Sequence, residues 1–180
     1  GVRLVGSEMC IRDSCAGALA GVINSLNWNF SVTDTRYDYC NQEIFPQAKE
    51  LINSSVQDFL TSETIQTITR FSDILLLGHD WSEDQERLLG LLSICQTNGM
   101  IPDGKQFPRI GVIGSRSKWQ SFCKAAKQDG ITQGLLDLVI CPIGINIGAE
   151  SPEEIAVAVT AQIISLVKGI SPNDKNWRES

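Results

Sequence analysis

Histidine occurs once in this 180-residue chain, at His79, and none of the six cysteines stands in a CxxC pair. Zinc sites are built from paired Cys and His ligands, so no metal site is expected. Basic charge is also short: 15 Lys and Arg against 21 Asp and Glu give a net charge of −6. A nucleic-acid backbone needs a basic footprint, so no nucleic-acid partner is expected. A local phosphate pocket needs only a helix N-terminus and one Arg, and stays open. No apolar run reaches the roughly 20 residues of a membrane span. The longest, Ile155 to Val167, is broken by Thr160, Gln162 and Ser165. Residues 1–30 lack the basic start, apolar stretch and small-residue cleavage site of a secretory signal. Cys10, Cys15, Cys40, Cys95, Cys123 and Cys141 are therefore expected as reduced, mostly buried thiols of a cytoplasmic protein with no membrane partner.

What the sequence does have is an alternation of short buried strands and amphipathic helices. Val2 to Val5 is a first strand. Ala16 to Leu26 is a helix rich in small residues, with Gly17 and Gly21 allowing close packing on a sheet. Trp28 to Thr33 is a second strand ending at Asp34, which completes a β-α-β opening of dinucleotide-binding type. A polar loop over Asp34 to Pro46 leads to a short strand at Glu50 to Asn53 and a helix over Thr61 to Arg70, capped by Ser62 or Thr61. Asp73 to Leu77 (DILLL) is a buried strand that runs into the turn Gly78-His79-Asp80. Trp81 to Cys95 is an amphipathic helix with acidic residues in its first turn, where they suit the helix dipole. After the loop Asn98 to Pro108, Arg109 to Ile113 is a strand, and Gly114 starts the turn into a helix reaching about Gln128. Gln133 to Asp137 is a small helix and Leu138 to Cys141 a strand. The last helix runs from Ser151 to Lys168, with Ser151 as N-cap, Pro152 at its first position and Glu154 completing a capping box. Residues 1–169 thus read as one α/β domain: a Rossmann-like, doubly wound, mostly parallel sheet with helices on both faces, followed by a polar tail over 170–180.

Three segments fall at the C-terminal ends of predicted strands, where open α/β sheets bind ligands. They are Gly114-Ser115-Arg116-Ser117-Lys118, then Cys141-Pro142-Ile143-Gly144-Ile145-Asn146-Ile147-Gly148, then Ser151-Pro152-Glu153-Glu154-Ile155-Ala156-Val157. In this order and spacing they resemble the signature of the XdhC/CoxI family of xanthine dehydrogenase accessory factors: a strand ending in IGSR-x-K, a CPIG-x-x-IG segment and a SPEEIAV helix. The Gly78-His79-Asp80 turn is similar to the family's threonine-histidine-aspartate turn, with Gly in first place, and Asp34-Thr35-Arg36 with Phe45-Pro46 resembles its second-strand region. The likeness runs over about residues 16–168. It implies a non-catalytic, chaperone-like factor that binds the molybdenum cofactor (molybdopterin). Such a factor assists sulfuration of the cofactor by a cysteine desulfurase and delivers it to a xanthine dehydrogenase-type molybdenum hydroxylase. Members usually carry an additional N-terminal domain, so the chain is expected to be a fragment or a short form.

One stretch departs from the family. Its glycine-rich turn after the first strand is replaced by Gly6-Ser7-Glu8-Met9-Cys10-Ile11-Arg12-Asp13-Ser14, with a single glycine and with Glu8 and Asp13 where an anion would sit. SEMCIRDS also resembles translated adapter sequence, and on that reading residues 1–14 say nothing about the natural protein. If the segment is native, a third reading is an interaction domain that has lost nucleotide binding.

Each candidate residue also has an ordinary role. Gly114, Ser115 and Arg116 suit an anion site of backbone N–H groups and a forked guanidinium, or simply a strand-to-helix turn with a solvated Arg. Lys118 joins them by the family pattern, although a basic residue on an early helical turn is commonly solvated. His79 could contact ligand or transfer a proton near pH 7, whereas Asp80 is better read as a helix N-cap. Asp34 could bind a ribose hydroxyl or make an Asx turn, and Arg36 could meet a phosphate. Cys141 is either a sulfur-handling or molybdenum-contacting thiol or a small hydrophobe shaping its loop. Gly144 and Gly148 allow positive φ or close approach to ligand. The apolar stripe of the last helix (Ile155, Val159, Ile163, Leu166) is core or a homodimer surface. No Ser/His/Asp or Cys/His pairing can be read from the sequence, so a hydrolase is disfavoured. The rival from another class is an NAD(P)-dependent oxidoreductase, favoured by fold and Asp34 and opposed by the missing GxGxxG.

Overall fold

The computed structural model describes residues 2–5, 15–78 and 80–173. Among them, five strands form one sheet: β1 (Val2–Val5), β2 (Phe30–Asp34), β3 (Leu51–Asn53), β4 (Asp73–Leu76) and β5 (Arg109–Val112). Their order is β3-β2-β1-β4-β5, and each neighbouring pair is parallel. The chain adds strands outward from β1 on one side, then crosses to the other side at β4. The winding direction changes between β1 and β4, and in open sheets of this kind ligands bind outside the C-terminal ends of the strands at such a point.

Pleating divides the apolar side chains between two cores. Ile74 and Leu76 of β4, with Ile110 and Val112 of β5, face one layer. Its helices are α2 (Val56–Ser62), α3 (Ile65–Ile68), α4 (Trp81–Thr97), α5 (Arg116–Gln128) and α6 (Gln133–Leu136). Leu75 and Leu77, with Phe30 and Val32 of β2, face the opposite layer, formed by α1 (Cys15–Ser25) and α7 (Pro152–Lys168), which pack on each other. The doubly wound reading is borne out. At the opposite edge, the register partners Asp73 and Arg109 make a forked ion pair at 2.7 and 2.9 Å.

Three local expectations are corrected. The helix expected over 61–70 is two short helices, capped by Ser55 and Thr64 rather than by Thr61 or Ser62. The Thr64 hydroxyl accepts from the Thr67 amide and starts a new turn, while Glu63 takes an extended backbone and ends α2. The strand expected over Leu138 to Cys141 is reduced to one bridge, Gly111 to Ile140, with a further bond from the Ile143 amide to the Val112 carbonyl. Pro142 has no N–H to continue the ladder. Gly21 faces open space instead of the sheet, because α1 buries Leu19, Ala20 and Ile23. The last helix matches its sequence signals: Ser151 and Glu154 form the capping box and Gly169 closes the helix in the left-handed region. Val159 and Ile163 lie in the core and Ile155 packs against it, whereas Leu166 is exposed.

Candidate functional site

Parallel strands bring their C-terminal ends to one edge, so the segments singled out from the sequence share that edge. At the end of β2, the Asp34 carboxylate accepts from the Arg36 amide (2.8 Å), Nε (3.1 Å) and Nη2 (3.1 Å). The first of these bonds is the Asx-turn geometry. Arg36 also stacks on Tyr39, 3.7 Å from the ring centroid. Asp34 and Arg36 are therefore each other's principal partners. Between them, the Thr35 hydroxyl donates to the Glu83 carboxylate of α4 at 3.2 and 3.3 Å.

The ends of β4 and β5 carry a feature the sequence reading missed. Asp84, in the first turns of α4, is 0% exposed and Lys118 of α5 only 3%. Lys118 Nζ donates to Asp84 Oδ2 (2.8 Å), to the Ile113 carbonyl (3.1 Å) and to the Gly78 carbonyl (3.2 Å). An ammonium has three donors, and all three are committed. Lys118 thus ties the residues just beyond both strands to α4 instead of being solvated. Burial raises the Asp84 pKa, opposed by the neighbouring charges of Lys118 and Arg87 and by the Gly78 amide. Gly78 is required here, because a Cβ at that position would overlap the Asp84 carboxylate. Arg87 completes the cluster, also 0% exposed, with Nη2 3.1 Å from Glu83 Oε2 and Nη1 3.8 Å from Asp84 Oδ1. Neither contact has hydrogen-bond geometry, so all three guanidinium nitrogens lack an acceptor among the described residues.

At the β5–α5 turn, Ser115 is the N-cap and accepts from the Lys118 amide at 3.3 Å. Arg116 is exposed beside it. Gly144 has φ +122° and its amide donates to Gln162 Oε1 at 2.5 Å, while Gly148 has φ +72° and is exposed. The expected positive φ at both glycines is present. Cys141 is half-buried, and burial pushes its thiol up to about 11 against the lowering effect of the Lys118 charge. Asp80 caps α4, accepting from the Ser82 (2.8 Å) and Glu83 (3.3 Å) amides. His79, Cys10 and the Gly6 to Ser14 turn lie outside the described residues. Asp84 and Arg87 could have been found on a helical wheel: they share one stripe with Leu88, Leu91 and Cys95, the face that a helix following a buried strand turns inward.

This strand order, with polar groups gathered where the winding changes, defines a Rossmann-type domain. The chain belongs to the XdhC Rossmann domain family, whose model matches residues 10–163. It is 27% identical over 153 residues to a protein of Bacillus subtilis described as a probable xanthine dehydrogenase subunit, covering 85% of this chain and 40% of that protein. It is 26% identical over 155 residues to the uncharacterized protein YqeB of Escherichia coli K12, covering 86% of this chain and 26% of that protein. A crystal structure of a xanthine dehydrogenase from Bacillus halodurans superposes with a TM-score of 0.70 at 23% identity, covering 99% of this chain and 45% of that one, and supports the fold. The chain spans less than half the length of each of these relatives. Among the described residues, no helix is long and apolar enough to cross a membrane.

Proposed function

We propose that this domain is the ligand-holding part of an accessory factor for a xanthine dehydrogenase-type molybdenum hydroxylase. In this reading it binds the molybdenum cofactor through its phosphate and pterin groups, presents it to a cysteine desulfurase for sulfuration, and passes it to the hydroxylase. The observation that carries the reading is the family match over residues 10–163, which includes all three strand-end segments. The chemistry of this edge agrees with holding rather than turnover. Lys118, the side chain best placed to act as a base, is committed to three acceptors, and burial keeps the Cys141 thiol protonated at neutral pH. The residues present also fit a phosphorylated ligand: an exposed Arg116 at the N-terminus of α5, glycine backbone at 144 and 148, and a buried guanidinium without an acceptor among the described residues.

The rival reading, an NAD(P)-dependent oxidoreductase, needs Asp34 for a ribose hydroxyl, and that carboxylate is already held by Arg36. The reading is tested by reconstitution. Adding the chain to a cofactor-free molybdenum hydroxylase together with limiting cofactor is expected to speed the return of hydroxylase activity. No acceleration, with the chain folded and in excess, would contradict it.

A further inference from the structure

Among the described residues, this edge holds Lys118, Arg36, Arg116 and Arg87, and their donors are not equally available. Lys118 has no donor left, since Asp84, Gly78 and Ile113 take all three. Arg36 is forked onto Asp34 and stacked on Tyr39. Arg116 is exposed, where water screens it. Arg87 is the opposite case, fully buried, with Nε, Nη1 and Nη2 all lacking an acceptor among the described residues. A guanidinium cannot neutralise itself by losing a proton, so burying it without acceptors is costly. Its nearest charge, Glu83, is a quarter exposed and is itself bonded by Thr35.

Position fixes what this group faces. Helical side chains lean toward the helix N-terminus, so the Arg87 guanidinium reaches back up α4 toward the C-terminal edge of the sheet. There it lies between Glu83, tied to the end of β2, and Asp84, tied through Lys118 to the ends of β4 and β5. Because β1 lies between β2 and β4, the segments that this cluster ties together flank β1, the strand at which the winding changes. Resting on the reading of this edge as a ligand crevice, we propose that Arg87 is the anion anchor of the domain. It takes a phosphate or diphosphate group of the ligand in a forked pair of hydrogen bonds, in the place that the Glu83 carboxylate now occupies. Glu83 is the stand-in that swings outward when ligand enters, and Lys118 is a positioning residue that touches no ligand.

Calorimetric titration of the purified chain with inorganic pyrophosphate, and separately with molybdopterin cofactor, tests this. Pyrophosphate binding is expected to weaken at least about tenfold in Arg87→Lys, which keeps the charge but loses the fork, and to be abolished in Arg87→Met, in line with the strength of charged hydrogen bonds. Glu83→Gln removes the competing carboxylate and is expected to tighten binding several-fold, roughly the effect of one nearby charge. Arg116→Ala is expected to change it about twofold or less, as for a screened surface charge. If Arg87→Met does not fold, Arg87→Lys and Glu83→Gln still decide. Wild-type affinity in Arg87→Lys together with unchanged affinity in Glu83→Gln would overturn the proposal, as would failure of the wild type to bind pyrophosphate. If Arg87 variants lose pyrophosphate but the wild type ignores molybdopterin, the anchor stands and the accessory-factor reading fails. If molybdopterin binds wild type and variants alike, the reverse holds.

Discussion

Gly78 shows how much of the site depends on single side chains. The carboxylate that would meet a Cβ at this position is buried and fixed by Lys118, so it cannot move aside freely. Gly78→Ala is expected to cost about 1–3 kcal/mol, the usual penalty for overfilling a packed interior, read as a lower urea midpoint. Unchanged stability would mean the Asp84–Lys118 pair is looser than described. Cys141 allows a second check. With its thiol pushed up to about 11, its alkylation by iodoacetamide should keep rising past pH 9 without a plateau. A plateau near pH 8 would instead mark an activated thiolate. Of the residues singled out from sequence, Ser115, Asp34, Asp80 and both loop glycines occupy the backbone positions expected of them. Lys118 was legible as important but not as buried, because nothing local reveals that Asp84, more than thirty residues earlier, waits for it. Arg87 was missed because a charged residue among leucines is ordinarily solvated at its tip, and only tertiary packing covers it.

Helix ends account for most of what could be read at the level of elements. The α7 box is encoded within four residues, and Ser151→Ala is expected to cost about 1 kcal/mol, visible as a drop in thermal midpoint. Two N-terminal carboxylates add a pH dependence. Asp80 is held below its ordinary value by the Ser82 hydroxyl and the Glu83 and Ser82 amides, and Glu154 by the Glu150 and Ser151 amides. A carboxyl whose pKa is lower folded than unfolded stabilises fully above the unfolded range and loses that contribution as pH falls through its folded value. The combined Asp80→Asn and Glu154→Gln variant should therefore lose less stability than wild type between pH 6 and pH 3. Parallel loss in both proteins would contradict the capping geometry. The elements that sequence misplaced share a cause: a hydroxyl cap at Thr64 and a proline at Pro142 act over one or two residues, a scale at which periodicity carries no signal.

For the whole molecule, the doubly wound fold was legible because strands alternate with helices and the central strand β4 carries apolar residues on both faces, Ile74 and Leu76 on one and Leu75 on the other, as a sheet covered on both sides demands. The strand order β3-β2-β1-β4-β5 then places every strand-end segment at one edge, which no single motif states. What that edge binds depends on polar contacts between residues distant in sequence, so the ligand was less legible than the fold. The proposed function has this edge hold a phosphorylated ligand without turning it over. The most direct test is equilibrium titration of the purified chain with molybdopterin cofactor and, in parallel, with NAD(H) and NADP(H). Saturable one-to-one binding of the cofactor, with no saturable nicotinamide binding, is the predicted result. Tight nicotinamide binding without cofactor binding would contradict it.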